Sequence, residues 1–316
     1  MLQIHLLLRS SGFGVLTGLL CSVLFGLNTH ALPYVPAGSL SQVPAPDKYI
    51  LSFTPRPSQT LIYSLQSRMN AEGKGFIGKS LSMNSQASGE IDLAVTQVST
   101  DRVFADLSSP GIQVSLLTLG RQDEFTLEAP PDNPVRVIFD KAGRIRDVQN
   151  VEALEEQNRM NFSILEVLRN FLPSYPDEAL ALGDSWKDHK RIMVPFEGIN
   201  LTIEAEVTFT FDYVAPSQQG QMGFVSAAYT VSLSGARSLE SASGIFEGRG
   251  TGTGNLHLLL DAGYFSEYRL DYTVDGSMAI RQGETDLAAW PFTLAVNASL
   301  SLLESREQPP FSVEFR

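Results

Sequence analysis

Strict two-residue alternation is the feature that most constrains how this chain can fold. Over residues 199–213, every odd position is apolar and every even position is polar or charged. Successive side chains of a β-strand point to opposite faces, so this pattern predicts one long strand with a buried face and a solvent-exposed face. Such strands are typical of antiparallel sheets. Similar alternation predicts strands in residues 91–97, 225–233, 264–280 and 290–302.

One segment departs from the alternation and predicts a helix. Residues 151–172 place apolar side chains at helical spacing, and Pro173 follows directly. The second half is apolar around much of its circumference, which predicts burial on more than one side. We therefore expect a mainly β protein, a large curved antiparallel sheet or half-barrel that encloses one α-helix. Residues 49–150 and 182–316 form its two β halves, with the helix and a connector in 151–181; one sheet or two sheets are both compatible with the sequence.

The first 31 residues have the pattern of an export signal. Arg9 is their only charge, and an apolar-to-small run of residues 12–27 follows it. This run is shorter than the roughly 20 residues that cross a membrane, and no later run in the sequence approaches that length. We expect cleavage after Ala31, export to the periplasm or the extracellular space, and no transmembrane segment in the mature chain. Residues 32–48 hold four prolines and predict an extended tether.

Charge and cysteine content exclude several classes of function. The net charge is −12 and no basic cluster is present, so nucleic acid and anionic membrane surfaces are poor partners. Cys21 is the only cysteine and lies in the predicted signal, so the mature chain would have neither a disulfide nor a thiolate ligand. Asp188 and His189 form the only adjacent acid–imidazole pair, and nothing nearby completes a metal site. We expect no metal and no cofactor.

The sequence GRGTGTG places four glycines at alternating positions from Gly248 to Gly254. A phosphate-binding loop would need a helix to begin on these glycines, whereas another alternating segment and a turn follow them. The pattern therefore predicts a strand whose inner face carries no side chains. A three-residue loop at 261–263 would pair residue 260 with residue 264. That register sets Gly252 opposite Tyr272, Gly254 opposite Leu270 and Leu256 opposite Tyr268.

A strand face without side chains leaves a groove beside two tyrosines. The predicted helix, the tyrosine rings or a ligand could each fill this groove, or the sheet could bend sharply along it. The sequence thus predicts a ligand-binding groove formed by Gly248, Gly250, Gly252, Gly254, Tyr268 and Tyr272.

The motif GDSW, residues 183–186, resembles the nucleophile motif of GDSL-type lipases. That family also has an Asp-x-x-His motif late in the chain, and this sequence has none. The alternative interpretation is a turn that enters a strand, with Trp186 anchoring the strand in the core. We therefore expect no catalytic residues, and a serine esterase based on Ser185 is the third candidate function.

Three further features resemble a loose group of exported bacterial β-rich proteins of uncharacterised function. They are a tyrosine in the first strand (residues 61–65), a Pro…LGDSW junction (residues 176–186) and long strands that end in a glycine-rich hairpin. The layout is more distantly similar to lipoprotein-carrier half-barrels, and this resemblance implies a curved sheet around an apolar cavity.

Two functions follow from the predicted architecture. The first is non-catalytic binding of an apolar or amphipathic, lipid-like molecule in a groove of the concave sheet. The alternative is a cell-envelope module with a fully packed core that interacts with a protein or has a structural role. An apolar void above about 300 Å³ would favour binding, whereas a glycine stripe filled by tyrosine rings and the helix would favour the packed module.

Overall fold

The computed structural model describes residues 47–74, 80–118, 121–129, 132–150, 172–196, 199–238, 243–283 and 285–307. The predicted signal and all but the last two residues of the predicted tether lie outside these ranges. Twelve strands form the regular structure of the described residues. They are β1 (Gln59–Lys74), β2 (Ser80–Val98), β3 (Arg102–Thr118), β4 (Arg121–Ala129), β5 (Val135–Asp140), β6 (Ile145–Gln149), β7 (Ser185–Phe196), β8 (Ile199–Ser217), β9 (Gly220–Ser238), β10 (Ser243–Leu259), β11 (Tyr264–Gln282) and β12 (Thr285–Glu307).

All twelve strands belong to one antiparallel sheet. Their order is β6-β5-β3-β2-β1-β12-β11-β10-β9-β8-β7, and β4 pairs with the remaining length of β3. The two β halves of the sequence meet where β1 pairs with β12, which answers the question of one sheet or two. Within the described residues β6 and β7 do not pair with each other, so the sheet is open.

The alternating segments of the sequence are all strands, and most extend beyond the predicted bounds. The longest, β12, has 23 residues, whereas strands of globular proteins usually have about 5–6 residues. A bulge in β8 corrects one prediction, because Asp212 is an extra residue between the pairs Phe211↔Val225 and Tyr213↔Phe224. The bulge reverses the alternation. Tyr213 therefore lies on the outer face and stacks on Phe224, with ring centroids 4.4 Å apart.

The described residues contain no helix. Apart from Leu172, the segment predicted to be helical lies outside the described residues, so the prediction of an enclosed helix receives no support from them. In the part of the chain that the structure describes, no helix has the length and apolar character needed to cross a membrane.

Among the residues that the structure describes, the two ends of the strands differ in what crosses them. We call the tied end the side that carries the turns at 99–101, 141–144, 218–219 and 260–263, and the far end the opposite side. Residues 47–55 cross the inner face at the tied end. There the Phe53 N–H donates to the Lys141 carbonyl and the Thr54 N–H to the Gly263 carbonyl, both at 2.7 Å.

A second segment, residues 172–184, crosses the same end. The Tyr175 N–H donates to the Ala142 carbonyl at 2.8 Å, and the Gly183 N–H donates to the Phe211 carbonyl at 2.7 Å. The two crossing segments pair with each other through Tyr49 and Leu180. The β5–β6 turn near one edge of the sheet is thereby connected to β8 near the other edge.

Aromatic side chains fill the space beneath the crossing segments. The ring of Tyr49 meets Phe211 edge-on at 5.3 Å, and the ring of Phe53 lies 5.0 Å from Phe139. Phe211 is completely buried, and such burial contributes about 1.5–3 kcal/mol per large apolar side chain. The tied end is therefore the packed core of the protein.

Candidate functional site

Residues at one height along the strands form straight rows across the inner face, because each strand pairs in register with the next. We name two of these rows after their residue in β7. The Asp188 row contains Asp188, Val207, Tyr229, Gly252, Tyr272, Val296 and Met69. The Lys190 row, one step closer to the far end, contains Lys190, Ala205, Val231, Gly250, Val274, Leu294 and Ala71.

The register predicted for the glycine strand is confirmed. Gly252 pairs with Tyr272, Gly254 with Leu270 and Leu256 with Tyr268. The predicted three-residue loop is wrong, because β10 ends at Leu259 and the connection comprises residues 260–263. A bulge that leaves Ser266 unpaired in β11 compensates for the change in loop length.

The glycine stripe, Gly248 to Gly254, lies along a sharp bend of the sheet. A Cβ added at Gly250, Gly252 or Gly254 would run into a backbone carbonyl oxygen of β11. In a flat sheet a Cβ points away from the neighbouring backbone. The overlap therefore means that β11 folds over the inner face of β10, which only glycine permits.

Tyrosine rings cover this stripe from both neighbouring strands. Tyr229 of β9 extends its ring to within 3.0 Å of where a Cβ of Gly254 would be. Its hydroxyl lies 2.6 Å from that of Tyr268 in β11, and Tyr272 lies directly beside Gly252. All three tyrosines are buried. The tyrosines thus adjoin Gly252 and Gly254, whereas Gly248 and Gly250 adjoin Val274, and the role of the six predicted residues in ligand binding stays a prediction.

A cavity of about 40 Å³ lies elsewhere, at the tied end. Its walls include Phe53, Tyr63 and Tyr175, and no residue of the glycine stripe contributes to it. Pockets that hold drug-sized ligands are usually about 300–1,000 Å³. This cavity is therefore a packing defect of the core and does not supply the large void that the binding hypothesis anticipated.

An ion pair lies on the inner face of β7, where the alternation would otherwise be apolar. Lys190 Nζ is 2.6 Å from Asp188 Oδ2 and donates a hydrogen bond of 2.8 Å to the Leu172 carbonyl. The two side chains are only 13% and 15% exposed. Alternation alone does not predict this pair, although Asp188 and Lys190 share the parity of Trp186 and thus its face.

The charge of Asp188 acts on the hydroxyls of Tyr229 and Tyr268, and we call Asp188, Lys190, Tyr229 and Tyr268 the inner polar cluster. Burial and the neighbouring Tyr268 raise the pKa of Tyr229 well above its ordinary value, and the negative charge of Asp188 raises it further. Burial is also the main cause that raises the pKa of Tyr268, with a contribution from Asp188. Both hydroxyls therefore remain protonated at neutral pH.

The GDSW motif is a turn that enters β7. Gly183 has a positive φ of 89°, and Trp186 stacks on Phe209 with ring centroids 5.1 Å apart. The indole N–H donates to the Ser174 carbonyl at 2.9 Å, so the predicted anchoring role of Trp186 is confirmed. Ser185 lies at the exposed start of the strand, with its hydroxyl 2.9 Å from that of Thr210. Among the described residues, no group of His, Cys, Asp and Glu side chains could hold a metal ion.

His257 lies on the outer face, as the parity of the sequence predicts. Its Nδ1 is 2.9 Å from Glu267 Oε2, and Arg269 pairs with the same carboxylate. The hydrogen bond from His257 is the main cause that lowers the pKa of Glu267, and Arg269 lowers it further, against a smaller opposing effect of burial. This cluster joins β10 to β11 from the convex side.

The inner face changes character toward the far end. Beyond the Lys190 row lies a group of apolar side chains that are only half-buried, which we call the far-end patch. It comprises Leu233, Phe246, Met278, Trp290 and Phe292. Register places Phe246, Met278 and Trp290 side by side on three adjacent strands. The patch is contiguous, and it contrasts with the complete burial at the tied end.

No family model and no curated protein matches this chain. Among solved structures, it is similar to one described as "lipid-protein interactions in lipovitellin", with 10% identity and a TM-score of 0.43 over 81% of this chain and 26% of that chain. It is also similar to OccK2 (OpdF) of Pseudomonas aeruginosa, with 10% identity and a TM-score of 0.25 over 79% of this chain and 100% of that chain. An outer-membrane channel of Pseudomonas putida F1 has 10% identity and a TM-score of 0.16, over 84% and 99% of the two chains.

Proposed function

We propose that the protein is a non-catalytic, exported binding protein that receives an apolar or amphipathic, lipid-like molecule on the concave face of its sheet. The observation that carries the proposal is the far-end patch, a contiguous apolar surface that continues directly from the packed core. Large apolar patches that remain accessible usually mark sites of interaction. The exported location rests on the sequence of residues 1–31.

The proposed binding surface begins beyond the tyrosines. Tyr229 and Tyr272 adjoin Gly254 and Gly252, the half of the stripe nearer the tied end, so the ligand chain would lie on the far-end patch. The stripe supports the site indirectly, because the bend that it allows turns β9 and β11 toward each other. The sheet therefore bends at the glycines that were predicted to form the groove, and this bend makes the inner face concave.

A second candidate function is a cell-envelope module that binds a protein partner. The tyrosine rings over the glycine stripe favour it, because they fill the groove that a ligand would otherwise occupy. In this alternative the far-end patch would contact a protein surface rather than a small molecule. The two candidates make different predictions for a purified protein without partners.

Binding of Nile red, an uncharged apolar dye, tests the proposal on the purified protein. We expect saturable, stoichiometric fluorescence enhancement, which Phe246→Asp reduces at least tenfold in affinity. Thr251→Asp is the matched control, because Thr251 lies on the same strand but is exposed on the outer face. Native mass spectrometry of protein from its export compartment should show a lipid-like adduct that organic extraction removes. A clean apo mass together with no dye binding would contradict the proposal and favour the protein-binding module.

A further inference from the structure

Within the described residues, the sheet ends on β6 at one side and on β7 at the other. The 12 residues of β7 pair with β8 without a bulge and with no other described strand. A free strand edge presents unpaired N–H and C=O groups on which another chain can form a further strand, and natural sheets protect such edges. Strands usually have about 5–6 residues, so β7 is long enough to accept one.

A carboxylate occupies one of the backbone donors of β7. The His189 N–H donates a hydrogen bond of 2.9 Å to Asp188 Oδ1. The other oxygen, Oδ2, lies 2.6 Å from Lys190 Nζ, which also donates to the Leu172 carbonyl. Bonds between a side chain and the backbone beside it compete with the hydrogen bonds of a sheet. Asp188 therefore takes a donor that an added strand would use, and Lys190 holds the carboxylate in place.

The edge strand β6 has the same arrangement. The Val148 N–H donates to Asp147 Oδ1 at 2.9 Å, and Gln149 Nε2 donates to Asp147 Oδ2 at 3.4 Å. In both strands Oδ1 accepts from the next backbone N–H, and the side chain two positions along contacts Oδ2. Asp147 is exposed, whereas the side chain of Asp188 is largely buried on the inner face. The two aspartates therefore share their place at an edge rather than their burial.

Aspartates of an interior strand bond differently. Asp271 and Asp275 lie on β11, which has β10 on one side and β12 on the other. Asp271 accepts from Asn297 and Asp275 accepts from Thr293, both at 2.7 Å and both across to β12. These carboxylates join two strands, whereas the two edge carboxylates bond to the backbone of their own strand.

We infer that Asp147 and Asp188 cap the two edges of the sheet and keep a second copy of this chain from pairing with them. A second copy is the partner because two identical edge strands related by a two-fold axis are self-complementary. A strand added to β7 would lack the His189 donor and would bury the Asp188–Lys190 pair further, which is costly. The inference goes beyond the proposed function and does not depend on a ligand.

Amide hydrogen exchange of the unmodified protein, resolved by residue, tests the caps without any substitution. N–H groups two positions apart on a strand point to the same side, so the Lys187 amide is the matched reference for the His189 amide. We expect the protection factor of His189 to be higher by about tenfold, because a hydrogen bond to a charged group is of the stronger kind. Equal protection would overturn the cap on β7.

Sedimentation velocity of purified variants tests the consequence for assembly. Asp188→Val/Lys190→Val removes the cap and both charges, and apolar replacement of a buried ion pair is often neutral for stability. We expect this variant to reach the mass of a dimer at concentrations at which the unmodified protein is a monomer. Adding Asp147→Val opens the second edge and should give species larger than a dimer, because each copy then pairs on both sides.

Two controls separate the caps from other causes of association. Asp188→Asn/Lys190→Gln removes both charges but keeps an acceptor and a donor, as in the Asp147–Gln149 pair of β6, and should stay monomeric. Thr251→Val/Thr253→Val adds two valines to the exposed outer face of β10, an interior strand, and should also stay monomeric. Association of either control would overturn the assignment to the caps.

Two further outcomes would overturn the inference. One is a folded Asp188→Val/Lys190→Val variant that stays monomeric, with circular dichroism as the check of folding. The other is a dimer of the unmodified protein that this variant abolishes, since the ion pair would then join two copies. If the variant does not fold, Asp147→Val decides, because its position is exposed. It should remove the protection of the Val148 amide, and unchanged protection would overturn the inference.

Discussion

The tied end and the far end belong to the same strands, yet their inner faces differ. At the tied end, residues 47–55 and 172–184 cross the sheet and join its turns by backbone hydrogen bonds. Phe211 and Leu256 are completely buried there, whereas Phe246 at the far end is half-buried. Alternation makes one face of a sheet apolar along its whole length, but only additional segments of chain decide how much of that face is covered.

The largest effect should come from removing a core aromatic at the tied end. We expect Phe211→Ala to lower the free energy of unfolding by about 3–5 kcal/mol, because it leaves a cavity beneath Tyr49. Phe246→Ala removes the same group from the half-buried patch and should cost less than about half as much. Urea denaturation measures both. Equal losses would show that the two ends are packed alike.

A methyl group on the glycine stripe should have the next largest effect. Gly252→Ala places a Cβ against the Asp271 carbonyl, so we expect a loss of about 1–3 kcal/mol from forced backbone movement. Gly244→Ala is the matched control on the same strand, since a Cβ at Gly244 meets no atom within 4 Å. That change should be neutral or stabilise by up to about 1 kcal/mol. A neutral Gly252→Ala would contradict the bend.

Removing the indole hydrogen bond of Trp186 tests whether this bond holds residues 172–184 against the sheet. Trp186→Phe keeps an aromatic ring against Phe209 but removes the donor to the Ser174 carbonyl. We expect a loss of about 1 kcal/mol, together with faster hydrogen exchange in residues 172–184. Unchanged exchange in that segment would mean that its backbone pairing alone holds it.

The smallest predicted effect concerns acid stability. The pKa of Glu267 is lowered in the fold, chiefly by its hydrogen bond from His257. The carboxylate therefore stabilises the fold above its unfolded pKa, and this stabilisation is lost as the pH falls through the lowered folded pKa. At the far end, the hydrogen bond from Arg281 also lowers the pKa of Asp286, but water screens this exposed pair. Glu267→Gln should flatten the acid limb of a stability–pH profile more than Asp286→Asn does, and the reverse order would contradict the account.

The sequence predicts the sheet well because alternation depends only on local parity. It predicts the pairing of Gly252 with Tyr272. The parity of Asp188 and Lys190 also matches that of Trp186, so the sequence contains the signal that places this ion pair on the inner face. The bulges at Asp212 and Ser266 could not be predicted. Each depends on how the length of a connecting turn matches the register of the two strands that it joins. The crossing segments bind through backbone groups, which leave no pattern in the side chains.

Photolabelling with an uncharged alkyl probe that carries a diazirine at its chain end tests the central claim most directly. After irradiation and proteolysis, mass spectrometry identifies the labelled residues. The account predicts saturable labelling at the far-end patch, at Leu233, Phe246, Met278 and Phe292, with none at outer-face positions such as Thr251. Labelling spread evenly over both faces, or confined to the tied end, would contradict it.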